Sequence, residues 1–215
     1  MPSVPEDAAA GGFRVTMVTD RRRLGGTDAA LRAALAARAG LDFIQVREKD
    51  LGDRPLLALA AAFVAAAAGT AARVLVNGRP DIAVAAGAAG VQLPEEGLPL
   101  RDVRRAFPSL TIGASCHSVE AVRRAAGDGA DFVLLGPIFA TPGKEERALG
   151  LGVLAAAAAV AVPVHAIGGV TPQRVPALRA AGARGGAAIR PFLEAAPDEI
   201  MRAFRAAEGG LPFPT

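Results

Sequence analysis

Cysteine occurs once, at Cys116, and histidine twice, at His117 and His165, in a chain of 215 residues. A lone thiol forms no internal disulfide, and one cysteine with two histidines does not make a zinc site. A reducing cytoplasm is therefore the expected compartment. The opening stretch, MPSVPEDAAAGG, lacks the apolar segment of a signal peptide and reads as a loose arm, so secretion is not expected. Long strongly apolar runs are missing too. Residues 56 to 72 carry no charge but are mostly alanine. They fall short of the roughly 20 apolar residues a membrane span needs and read as an alanine-rich helix. Nor does one sign of charge dominate: the net charge is +3, and the basic residues are scattered rather than massed. That argues against a nucleic-acid or membrane-surface partner and mildly favours small anionic ligands.

What the chain does have is a repeated alternation. Strand-like runs are read at 13–19, 43–47, 73–77, 90–93, 110–114, 132–136, 162–168 and 185–189. Between them lie stretches rich in Ala, Leu and Arg, among them 27–40, 118–130 and 171–183. Thr27, Ser118 and Thr171 stand where N-caps belong, and Gly40, Gly129 and Gly182 near helix ends. Eight such pairs predict a single-domain α/β fold, a (β/α)8 TIM barrel over residues 13–208. Residues 1–12 are expected to form an arm and 209–215 a tail. In such barrels chemistry gathers at the carboxyl ends of the strands.

Several of those ends carry polar or glycine-rich corners. In QVREK, alternation sends Gln45, Arg47 and Lys49 to one face and Glu48 to the other, a cluster suited to a diphosphate or carboxylate. In VHAIGGVTPQ, Gly168 and Gly169 leave backbone amides open to a phosphate, and Arg190 follows the eighth strand. GPIFATPGK places Thr141, Gly143 and Lys144 in a loop suited to cover an anion, whereas the next charges, Glu145 to Arg147, read as a solvated face. SCHS puts His117 at the rim as a proton-transfer candidate. His165, inside an apolar strand, reads as a core residue, and Cys116 is a poor nucleophile because its side chain should diverge from that of His117.

Taken in order, QVREK, NGRPDIA, GVQLPE, IGASCHS, GPIFATPGK and VPVHAIGGVTP resemble the thiamine phosphate synthase and thiazole tautomerase (TenI-like) family, from about residue 14 to about residue 195. The resemblance implies a barrel that binds thiazole and pyrimidine phosphates, with a dimer suggested. It assigns Gln45, Arg47, Lys49 and Asn77 to the pyrimidine diphosphate, Ser115, Thr141 and Lys144 to further ligand contacts, and Gly168 and Gly169 to the thiazole phosphate. Synthases hold Mg2+ through two aspartates, where this chain has Gly78 and Gly97; Asp81, Glu95 and Glu96 are the nearby acids. NGRPDIA and VQLP sit closer to the tautomerase branch, yet Pro137 occupies the place of that branch's histidine, and Arg190 replaces a small residue.

The first expectation is thus a metal-free tautomerase-type protein acting on a thiazole phosphate, with His117, Lys49 and Lys144 as catalytic candidates. The alternatives are a thiamine phosphate synthase, which would use Mg2+, and a non-catalytic protein that binds a phosphate ligand.

Overall fold

The computed structural model describes residues 12–23, 28–141 and 145–209. Among them eight parallel strands close a barrel in chain order: β1 (Arg14–Val18), β2 (Phe43–Val46), β3 (Arg73–Asn77), β4 (Gly90–Leu93), β5 (Thr111–Cys116), β6 (Phe132–Leu135), β7 (Val164–Ile167) and β8 (Gly185–Ala188). Pairing of Thr16 with Ala187 joins the last strand to the first. The helices between them are α1 (Ala29–Arg38), α2 (Asp53–Ala67), α3 (Pro80–Ala85), α4 (Leu100–Ala106), α5 (Val119–Gly127), α6 (Gly150–Ala158) and α7 (Val175–Ala180), with α8 (Arg190–Glu194) and α9 (Pro197–Glu208) after β8. This is the expected (β/α)8 barrel.

Local chemistry explains the boundaries. The carboxylate of Asp28 caps α1 by accepting the amides of Ala30 at 2.8 Å and Leu31 at 3.2 Å. The cap is therefore one residue beyond Thr27, which lies outside the described residues. Ser118 caps α5 as expected, accepting from the amide of Ala121 at 3.1 Å. Thr171 opens only a 3-10 turn, Pro172–Arg174, with no side-chain cap bond, and α7 follows. Gly40, Gly129 and Gly182 end their helices at positive φ, where a Cβ would be strained. The alanine-rich stretch forms α2, which buries one face through Leu56, Ala60, Phe63 and Ala67. Complete burial of a ring such as Phe63 contributes roughly 2 kcal/mol. No helix among the described residues is long and apolar enough to cross a membrane.

Strand alternation divides the apolar residues into two cores. Ile44, Val46, Val74, Val76, Val133 and Leu135 face the helices, in one cluster with Phe63 and Phe204. Val18, Leu75, Phe132, Leu134 and Ala187 form a second cluster, with Phe43 and Ile167 packed on it, inside the barrel. There the rings of Phe43 and Phe132 stack at 5.4 Å, and His165 lies 4.9 Å from Phe132. Gly185 makes room for this imidazole, since a Cβ there would come 2.9 Å from its ring. The amino-terminal end of the barrel is clamped by Asp42, which accepts from Arg14 Nη1 at 2.8 Å, the amide of Val15 at 2.7 Å and Arg205 Nη2 at 2.8 Å. The carboxylate thereby ties β1 to α9.

Candidate functional site at the carboxyl ends of the strands

A cavity of about 830 Å³ opens at the carboxyl ends of the strands. Most of the expected corners meet in it. Gln45, Arg47, Lys49, Asn77, Ser115, His117, Thr141, Gly168, Gly169 and Arg190 all line its wall, whereas Lys144 lies outside the described residues.

On the β1 to β3 side, Gln45 is 2% exposed and its Nε2 has no hydrogen-bond partner, so a donor stands ready at the cavity floor. Arg47 and Lys49 follow it upward on the same face, as alternation requires. Glu48 turns the other way, but into the protein rather than to solvent. It is 6% exposed and accepts from the Thr19 hydroxyl at 2.7 Å and the amide of Arg21 at 3.1 Å. Thr19 Oγ1 in turn accepts from the amide of Arg47 at 3.0 Å. This network joins the loop after β1 to the loop after β2 and fixes the 3-10 turn Arg21–Arg23, whose last residue, Arg23, reaches the cavity. Sequence reading missed Arg23, although its place just after a barrel strand was the available signal.

At the rim beyond β4 and β5, Gln92 is fully buried and donates from Nε2 to Ser115 Oγ at 3.1 Å, which orients the serine. His117 is exposed, and its Nδ1 lies 2.6 Å from Glu95 Oε2. The same oxygen accepts from the amide of His117 at 2.9 Å, so Glu95 holds both the backbone and the ring. Cys116 is buried next door. Burial, and then the charge of Glu95, push its thiol up to about 12, which removes it as a nucleophile at neutral pH.

On the β7 to β8 side the backbone itself forms the wall. Gly168 and Gly169 have φ of 91° and 66°. A Cβ at Gly168 would lie 2.5 Å from Pro137, and one at Gly169 would lie 2.6 Å from Arg174 Nη1, so neither position accepts a side chain. Arg174, also missed from sequence, donates to the Gly169 carbonyl at 2.6 Å and lies 4.3 Å over the Phe139 ring. Arg190 pairs with Glu194 at 3.5 Å at the same edge. The arrangement presents bare backbone flanked by two guanidinium groups, which suits a phosphate monoester.

The residues present do not fit the divalent metal of the synthases. Asp81 is gripped through both oxygens by Arg79, at 2.9 and 2.6 Å, and those hydrogen bonds hold its carboxyl below the usual range. Glu95 is committed to His117. No group of three metal-ligating side chains occurs among the described residues. Magnesium is usually held through one or two carboxylates together with ligand phosphates and water, and the carboxylates of Asp81 and Glu95 are already engaged with Arg79 and His117.

Comparison with known proteins agrees with this geometry. Residues 15–192 match the family described as thiamine monophosphate synthase. The thiamine-phosphate synthase of Methanoculleus marisnigri is 43% identical over 182 residues, covering 83% of this chain and 86% of that protein. That of Anaeromyxobacter dehalogenans is 40% identical over 201 residues, covering 88% and 90%. Among solved structures, thiamine phosphate pyrophosphorylase from Pyrococcus furiosus superposes with a TM-score of 0.82 at 29% identity, covering 94% of this chain and 98% of that one. The chain belongs to the thiamine monophosphate synthase family.

Proposed function

We propose that this chain is a thiamine-phosphate synthase, joining hydroxymethylpyrimidine diphosphate to thiazole phosphate in the cytoplasm. What carries the reading is the presence of two separate anion grips, one at the ends of β2 and β3 and one at the ends of β7 and β8, in one cavity of about 830 Å³, large enough for two small ligands. Gln45 and Asn77 orient the pyrimidine, and Arg47 and Lys49 take up the negative charge of its diphosphate. The glycine pair, with Arg174 and Arg190, seats the thiazole phosphate. The bond between the pyrimidine methylene carbon and the diphosphate oxygen breaks, and its electron pair leaves with the diphosphate. The thiazole nitrogen then gives its lone pair to that carbon. The protein's part is proximity and charge stabilisation of the leaving group. Both named relatives are thiamine-phosphate synthases, which supports this reading over the tautomerase expected first from NGRPDIA and VQLP.

Tautomerase action is a second reading, and the His117–Glu95 pair at the rim favours it, because a carboxylate behind an imidazole fixes the tautomer that moves a proton. Incubation with both phosphates, followed by mass spectrometry for thiamine phosphate, tests the first. Conversion of the carboxythiazole phosphate tautomer, lost in His117→Ala, tests the second. Product of neither kind, with phosphate-dependent ligand binding retained, would leave a non-catalytic binding protein.

A further inference from the structure

The β1 to β3 side of the cavity carries more positive charge than the expected cluster accounts for. Arg23, Arg47 and Lys49 all line it, and the side chains of all three lack a hydrogen bond or ion pair among the described residues. Their neighbours differ. Arg21 and Arg22 of the same turn are spent on Asp50, and Arg79 on Asp53 and Asp81. A buried carboxylate, Glu48, holds the start of the turn through the amide of Arg21, and Arg23, two residues on, lines the cavity with an exposed side chain. The two acids that line the cavity are already paired, Glu95 with His117 and Glu194 with Arg190, and glycine stands at positions 78 and 97.

We infer that this side of the cavity binds a diphosphate without a divalent metal, with Arg23 joining Arg47 and Lys49 to supply the neutralising charge. The inference rests on the synthase reading for its ligand, and it extends that reading to how the leaving group is held. Three side-chain cations give about the charge that a diphosphate requires, and guanidinium forks suit its paired oxygens. Dissolved magnesium would then compete with the side chains for the ligand rather than assist.

The test is calorimetric titration of inorganic pyrophosphate into the purified full-length chain, once in EDTA and once in excess magnesium chloride. Pyrophosphate should bind at least as tightly in EDTA as in magnesium. Arg23→Ala should weaken it about tenfold, the worth of one charge-assisted contact. Arg22→Ala, which removes the same charge from the same turn but from a side chain outside the cavity, should leave it unchanged. Binding of inorganic phosphate at the glycine pair should survive Arg23→Ala.

Binding that appears only with magnesium would overturn the inference, as would equal losses in Arg22→Ala and Arg23→Ala, which would mean a diffuse field rather than a contact. Failure of the synthase reading looks different: pyrophosphate would bind in EDTA, yet no thiamine phosphate would form from the two substrates. Magnesium-dependent binding together with product formation would sink the inference and leave the synthase reading intact.

Discussion

His165 and Phe132 stack inside the barrel with ring centroids 4.9 Å apart, on neighbouring strands, and the imidazole Nδ1 has no hydrogen-bond partner. Burial lowers this histidine from its ordinary 6.5 to about 4. It is therefore neutral in the folded protein over a range where the unfolded chain binds a proton. Stability from this residue is complete above about pH 6.5 and drains away as pH falls toward about 4, by about 3 kcal/mol in all. Urea unfolding at about pH 7 and about pH 4.5 should show that loss in the wild type. In His165→Gln the difference between the two pH values should shrink by most of that amount. An unchanged difference would place the acid sensitivity elsewhere.

Asp42 is an ionic group whose removal should cost the fold heavily. It is shared by two arginines and a backbone amide, and its side chain is only 11% exposed. Deleting one partner of a buried ionic cluster leaves the others uncompensated, so Asp42→Ala should lower unfolding free energy by about 3 kcal/mol. The exposed pair of Asp198 with Arg202 offers the contrast. Asp198→Ala should leave the urea midpoint where it was.

At the phosphate wall, a methyl group is the sharpest probe. Gly168→Ala puts a Cβ against Pro137 at a residue with φ of 91°. Calorimetry should show inorganic phosphate binding at least about tenfold weaker, because the backbone that would cradle the ligand must shift. Circular dichroism should still report a folded barrel.

Thr19 serves two loops with one hydroxyl, donating to Glu48 and accepting from the amide of Arg47. Thr19→Val keeps the shape and removes both bonds. A buried carboxylate with one donor fewer should cost about 2 kcal/mol in urea unfolding. Pyrophosphate affinity should fall with it, since the backbone at Arg47 loses its latch. Lost stability with unchanged pyrophosphate binding would show that the network serves the fold alone.

The barrel was legible because strand alternation and glycine punctuation are local. Each expected strand overlaps an observed one, and Gly40, Gly129 and Gly182 end their helices. The cap of α1 fell to the neighbouring residue, where the carboxylate of Asp28 took both amides. The site was legible where its residues sit on strands, as with Gln45 and Ser115. It was not legible where loops from successive strands meet. Glu95 and His117 are 22 residues apart in sequence, and only the parallel pairing of β4 with β5 brings their loops together. Arg23 ends a run of three arginines that reads as a solvated patch, and nothing local reveals that Arg21 and Arg22 are taken up by Asp50 while Arg23 lines the cavity.

Gly78 and Gly97 are more than missing carboxylates. Gly78 has φ of 69°, a left-handed conformation that aspartate adopts more readily than most residues, and a Cβ there would meet nothing nearer than Pro94 at 3.7 Å, whereas a Cβ at Gly97 would lie 2.9 Å from the carbonyl oxygen of Pro94. Aspartate at position 97 would meet a backbone shaped around glycine, whereas at position 78 it would carry only the cost of the left-handed conformation. A carboxylate introduced at position 97 would thus need the loop after β4 to shift before it could reach a metal.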